Sequence, residues 1–170
     1  MSLVLVTGTA GTGKSAVCAV LRDRGHVALD ADCHSHWVDR LTGKISDNPP
    51  GPIPPGWIAR FDWEIEIGVV KALATPSGTS FLCGCVGNEA QVRRYADQVI
   101  CLLVNDETLR HRLATRTTNW FGRSPDQLEA SLAWNRVARE RYEQLGAITI
   151  DATQPLGRVV DEVLSAAGVA

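Results

Sequence analysis

The chain is defined first by what it lacks. It has no apolar run long enough to cross a membrane. Its 17 Lys and Arg are balanced by 19 Asp and Glu, for a net charge of −2. No basic excess marks a nucleic-acid binder. The opening Met1-Ser2-Leu3-Val4-Leu5-Val6-Thr7-Gly8 lacks a charged n-region and a full-length apolar stretch, so no secretion signal is expected. The five cysteines, Cys18, Cys33, Cys83, Cys85 and Cys101, cannot pair evenly, and a reduced cytoplasmic chain is the expectation. Cys83-Gly84-Cys85 has no second Cys/His cluster at ligand spacing, which favours strand-core packing over metal binding. His34 and His36, near Asp32, read as solvated or substrate-side. Repeats and low-complexity tails are absent. Aromatics are few, but the five Trp outnumber three Phe and two Tyr.

What is present fits one domain. A length of 170 residues buries a sufficient core without metal or disulfide staples. Short apolar runs predict strands at residues 3–7, 26–30, 79–83, 98–104 and 147–151. Between them the spacing predicts helices over 14–24, 62–74, 106–116 and 125–145, with a last one opened by Pro155. Asn105 is placed to cap one helix, and Ser124-Pro125-Asp126-Gln127 is a strong start for another. Apolar strands alternating with helices predict an α/β fold, a parallel sheet with helices on both faces. Residues 31–61 break the alternation. Their Pro49–Gly56 stretch holds five of the eight prolines and reads as an extended surface loop, of a length that is uncommon without a function.

The sharpest feature is Gly8-Thr9-Ala10-Gly11-Thr12-Gly13-Lys14-Ser15, a full match to G-x-x-x-x-G-K-S/T between a predicted strand and a predicted helix. Glycines let successive backbone N–H groups turn toward anionic oxygens, and the helix amino terminus adds its positive dipole end. Lys14 is placed to reach β- and γ-phosphates, and the Ser15 hydroxyl to ligate Mg²⁺.

On this motif the chain resembles the P-loop NTPases. In size and layout it is similar to the nucleoside-monophosphate-kinase and shikimate-kinase group of small-molecule kinases. The resemblance implies a three-layer P-loop fold, a five-stranded parallel sheet in the order 2-3-1-4-5, and ATP with Mg²⁺ as cofactors. It also implies an acceptor-binding insertion at about 31–75 and a lid at about 112–125 within a single domain, 1–170. The Asp30-Ala31-Asp32 at the end of the second strand is similar to the pattern of shikimate kinases. By that likeness Asp32 is the base or substrate anchor and Asp30 a metal-side carboxylate beside Ser15. A capping or loop role for the pair is the alternative.

The acceptor segment carries Trp37, Trp57, Arg60, Asp62 and Trp63. Arg60 can hold an anionic acceptor bidentately or pair with Glu64 across one helical turn. Gly84, with Gly87-Asn88, sits where such kinases approach the acceptor with backbone groups. A shikimate kinase carries a three-glycine run there; its absence and the Pro-rich insertion argue against shikimate as the acceptor. No acidic residue occurs from Thr108 to Pro125, while Arg110, Arg112, Arg116 and Arg123 crowd the stretch. It resembles an Arg-rich lid, in which Arg112 would stack on adenine and Arg116 would neutralise the transferring phosphate. Thr117 to Gly122, including Trp120, would be the cover, and Arg136 and Arg139 are further candidates for the same phosphates. Pro155, in the turn after the fifth strand, would line the adenine pocket.

The expectation is therefore an ATP- and Mg²⁺-dependent phosphotransferase acting on a hydroxyl or phosphate of a small molecule, with the aromatic acceptor segment pointing toward a ringed one. Lys14, Asp32 and Arg116 carry the chemistry. A nucleoside-monophosphate kinase and a nucleotide-binding regulatory ATPase remain as alternatives. Partners are ATP and a small-molecule acceptor, with no nucleic acid and no membrane.

Overall fold

The computed structural model of the chain describes residues 2–49, 51–75, 77–117 and 121–169. The five apolar runs form one parallel sheet. Its strands are β1 (Ser2–Thr7), β2 (Val27–Asp30), β6 (Thr79–Cys83), β7 (Gln98–Leu103) and β8 (Ile148–Asp151). The lateral order β2-β6-β1-β7-β8 is the expected 2-3-1-4-5 once the strands of this sheet are counted alone. Alternation along the central strand assigns its two faces. Val4 and Val6 join one core with α1 (Lys14–Asp23), α5 (Asp106–Thr115) and α7 (Leu156–Ala166). Leu3 and Leu5 join the opposite core with α3 (Ile67–Leu73) and α4 (Glu89–Val92). The long helix α6 (Pro125–Gln144) packs Ala138 and Tyr142 on Cys101 and Leu103 of β7. Residues buried on both sides of the sheet explain why these strands read as continuous apolar runs.

Capping follows the sequence at one end and departs at another. Asn105 accepts from the Thr108 N–H at 2.7 Å, as expected. Ser124 and Pro125 start α6, although no side-chain bond from Ser124 caps it.

Around the Pro-rich stretch, whose described residues form no helix or strand, the segment 31–65 builds regular elements. It contains a 3-10 turn (Ala31–His34), β3 (Ser35–Asp39), β4 (Ile45–Ser46) and a short helix α2 (Trp57–Arg60) before β5 (Phe61–Ile65). Strands β4, β3 and β5 make a second, antiparallel sheet in that order. The helix expected over 62–74 is therefore cut in two. Its first part alternates, with Phe61 and Ile65 buried and polar Asp62 and Glu64 between, and this period of two belongs to a strand. Only the second part, α3, is helical. The pairing of Arg60 with Glu64 on one helix face falls with it. Trp37 lies directly opposite Trp63 across the β3–β5 ladder, their rings 5.0 Å apart. Trp57 stacks on Phe61 at 4.2 Å and meets Trp37 edge-on at 6.0 Å. These aromatic contacts supply the apolar burial this small sheet needs.

Candidate active site

The loop Gly8–Ser15 leaves the carboxyl end of β1 and turns into α1. Gly8 sits at φ +142°, and a Cβ there would lie 2.5 Å from the Leu102 carbonyl oxygen, so only glycine fits. Thr12 fastens the turn by donating its N–H and its hydroxyl to the Thr9 carbonyl, at 3.2 and 2.9 Å. The Lys14 ammonium folds across the mouth onto the carbonyls of Gly8 and Thr9, at 2.7 and 2.8 Å. A helix leaves its first N–H groups without intrahelical partners. Here they open on a cavity of about 1250 Å³ that Thr9 through Val17 line without a break.

Several other expected residues line the same cavity: Asp32, Asp62, Trp63, Arg112 and Arg116. Arg112 bridges two walls, donating to the Thr12 carbonyl at 3.2 Å and to the Ala152 carbonyl at 2.9 Å. It thereby ties the phosphate loop to the turn after β8. Arg116 is half-buried and donates to the Phe121 carbonyl. Burial pulls its pKa down, and the negative charge of Asp32 works against that shift. Asp32 thus acts electrostatically on Arg116 although the two are 84 residues apart in sequence. Thr118, Asn119 and Trp120, expected in the cover, lie outside the described residues.

Other expected residues sit elsewhere. Asp30 does not line the cavity; its carboxylate caps the 3-10 turn, accepting the Asp32 N–H at 3.1 Å. Arg60 and Trp57 border a separate, smaller hollow with Pro55, Gly56 and Phe61. Arg60 is committed to Asp39, with Nε and Nη2 at 2.9 and 2.8 Å from one carboxylate oxygen. That pair, with the N–H groups of Leu41 and Thr42, holds the buried Asp39 carboxyl below the usual carboxylate range. Gly84 serves packing, because a Cβ there would lie 2.3 Å from the Ala31 Cβ. Gln154 and Leu156 line the cavity, and Pro155 between them does not. Arg136 pairs with Asp106 at 2.8 Å and Arg139 with Glu143 at 3.3 Å, and neither reaches the cavity.

Sequence reasoning missed Glu89, Arg93 and Arg141, all on the cavity wall, where Trp134 also lies. Glu89 is 7% exposed. Its Oε2 accepts the Tyr142 hydroxyl at 2.5 Å and the Thr7 hydroxyl at 3.3 Å. The Arg93 Nε lies 3.6 Å from its Oε1. Burial and the neighbouring Glu89 charge push the Tyr142 hydroxyl pKa far up, which keeps it a donor. No local word announces this residue, since its partners come from β1 and α6.

The donor set fits a nucleotide-borne Mg²⁺ rather than a resident metal. Among the described residues no three His, Cys, Asp or Glu side chains converge as a cage. Mg²⁺ is commonly held by phosphates, waters and one or two protein oxygens, and the Ser15 hydroxyl on the cavity can supply one. Cys85, the cysteine on the cavity wall, does not fit as a nucleophile, because burial raises its thiol pKa. Among the described residues no helix is long and apolar enough to cross a membrane.

No family model matches the chain. A segment is 36% identical over 58 residues to a dephospho-CoA kinase of Deinococcus radiodurans, a match that spans 32% of this chain and 28% of that protein. The shikimate kinase of Acinetobacter baumannii, solved with shikimate, superimposes with a TM-score of 0.62 at 18% identity, covering 98% of this chain and 93% of that one. A gluconokinase from Sinorhizobium meliloti 1021 gives 0.56 at 19% identity, covering 96% and 90%. The fold is that of the P-loop small-molecule kinases.

Proposed function

We propose that the protein is a phosphotransferase that moves the γ-phosphoryl group of ATP to a hydroxyl of a small molecule. One observation carries the reading: the phosphate loop and the Asp32 carboxylate open on the same cavity, with two arginines of the lid region between the walls. At about 1250 Å³ that cavity exceeds the roughly 300–1,000 Å³ of a typical single-ligand site and suits a nucleotide and an acceptor together.

In this reading the loop N–H groups and Lys14 bind the β- and γ-phosphates, and Ser15 faces the cation. Mg²⁺, when bound with ATP, neutralises charge on the phosphates. Asp32 accepts the proton of the acceptor hydroxyl as its oxygen bonds to the γ-phosphorus. The bond from that phosphorus to the β–γ bridging oxygen breaks, and ADP leaves. Arg116 and Lys14 stabilise the charge spread over the transferring group, and closing the lid excludes water. Arg112, pinned between the loop and the turn after β8, marks the adenosine end.

The acceptor side is bounded by Trp37, Trp63, Ile53 and Ile58, which favours a ringed acceptor. A nucleoside monophosphate is disfavoured, because the two arginines of the acceptor segment are engaged: Arg40 with Asp62 at 2.7 Å and Arg60 with Asp39.

The test is ADP release over a panel of nucleosides, nucleotides, sugars, aromatic metabolites and amino alcohols. Turnover with one of them is expected. Lys14→Ala should abolish it. Asp32→Asn should keep nucleotide affinity but lower transfer by about 10²–10⁴-fold, the usual worth of a general base. A loss of ATP affinity alone in Asp32→Asn would make Asp32 a metal-side group.

A further inference from the structure

Asp32 is exposed, on a 3-10 turn, and a carboxylate in that setting has freedom to rotate. One bond restrains the backbone and a second the carboxylate itself. Asp30 accepts the Asp32 backbone N–H at 3.1 Å, and the indole Nε1 of Trp63 donates to Asp32 Oδ1 at 2.9 Å. The indole comes from β5, on the other sheet, and is itself rigidly held. It packs on the Trp37 ring at 5.0 Å, and its own carbonyl accepts the Gly87 N–H at 2.6 Å. Next to Gly87, the buried Asn88 side chain brackets Ile65, accepting its N–H at 3.1 Å and donating to its carbonyl at 2.9 Å. These bonds lock β5 to the turn after β6, and with it the indole.

We infer that Trp63 is the positioning residue of the phosphotransfer site: its indole N–H fixes the Asp32 carboxylate through one oxygen and leaves the other free for the acceptor hydroxyl. This goes beyond its expected role as an acceptor wall and rests on the kinase reading. A neutral donor in a packed ring suits the task. It holds the carboxylate without the competing positive charge an Arg or Lys would bring, and it has only two torsions to restrain. A misplacement of about 1 Å at a reacting group can cost about a hundredfold in rate, so the brace has a measurable consequence.

The test pairs two substitutions and two readouts. Trp63→Phe keeps an aromatic ring and removes the donor. With the acceptor found in the panel, kcat is expected to fall by about ten- to a hundredfold, while KM for ATP and for the acceptor stays within about twofold. In ¹H–¹⁵N spectra of the labelled protein, the indole peak missing from Trp63→Phe is that of Trp63. Asp32→Ala should shift that peak strongly upfield and move the other Trp peaks far less. Two results overturn the inference: an unmoved Trp63 indole peak in Asp32→Ala, or wild-type kcat in Trp63→Phe. Should Trp63→Phe not fold, the Asp32→Ala shift is read with assignment by conventional resonance experiments, and an unmoved peak is again fatal. The spectra need no acceptor. Wild-type silence across the whole panel therefore refutes the kinase reading and the positioning role with it, while the indole shift still reports whether the bond exists.

Discussion

Gly84 and Gly68 make opposed predictions from the same substitution. Gly84 follows β6 and faces Ala31, the residue between the two aspartates. An alanine Cβ would lie 2.3 Å from the Ala31 Cβ, 3.5 Å from its Cα and 3.6 Å from its nitrogen. The two methyls need more than an ångström of extra separation, and both belong to backbone segments fixed in the sheet and the 3-10 turn. Overpacking of this kind costs about 1–3 kcal/mol. For a domain of this size each kcal/mol is worth roughly 2–4 °C, so Gly84→Ala should lower Tm by about 2–12 °C. The displaced partner is bonded to Asp32, so transfer should fall with stability. Gly68 lies inside α3 at an ordinary helical φ, and a methyl added there would meet nothing within 4 Å. Gly68→Ala should therefore leave turnover alone and stabilise by about 0.5–1 kcal/mol through the unfolded chain. Thermal unfolding followed by near-UV circular dichroism, with ADP release on the same samples, measures both. Equal Tm for Gly84→Ala and wild type would refute the close packing of the β6 turn on the aspartate turn. A destabilised Gly68→Ala would refute the helix there.

Three further outcomes follow from the same geometry. Tyr142→Phe strips Glu89 of its shortest hydrogen bond and leaves a buried carboxylate oxygen with only the Thr7 hydroxyl; chemical denaturation should show a loss of about 1–3 kcal/mol. Arg112→Ala removes the bridge between Thr12 and Ala152, and ADP titration should show affinity lower by about five- to thirtyfold, the equivalent of 1–2 kcal/mol. The Asp39 carboxyl is held below its ordinary value of 3.8, so the folded form binds that proton less readily than the unfolded chain. Its contribution is complete above that ordinary value and is lost as pH falls through the lowered one, so the drop in Tm from pH 6 to pH 3 should be smaller in Asp39→Asn than in wild type.

Much of this was legible from local chemistry. The parallel strands are buried on both faces, so Leu3 to Val6 and Ile100 to Leu103 announce themselves without context. The phosphate loop is one contiguous word whose glycine spacing is dictated by backbone conformation. Asn105 caps its helix from three residues away. What stayed hidden depends on distance along the chain. The antiparallel sheet needs Ser35–Asp39 to find Phe61–Ile65, and the apolar Ile65, Val69, Val70 and Leu73 mimic a helical stripe across a strand–helix junction. Arg60 has Glu64 as its tempting local partner, yet Asp39 lies across the ladder. Glu89 becomes a cavity residue only because Thr7 and Tyr142, 82 residues before it and 53 after it, converge on its carboxylate. The Trp excess sorts in the same way: Trp37, Trp63 and Trp134 line the cavity, while Trp57 packs on Phe61 beside it.

The central claim is that one cavity serves both the nucleotide and a hydroxyl acceptor, with Asp32 between them. Transfer of label from γ-³²P-ATP into a new phosphoester, measured for wild type and Asp32→Asn at saturating ATP, tests it most directly. The account predicts label in an acceptor product with wild type, and loss of that product in Asp32→Asn while ADP still binds. Equal product from both proteins, or label released only as inorganic phosphate whatever the acceptor, would contradict it.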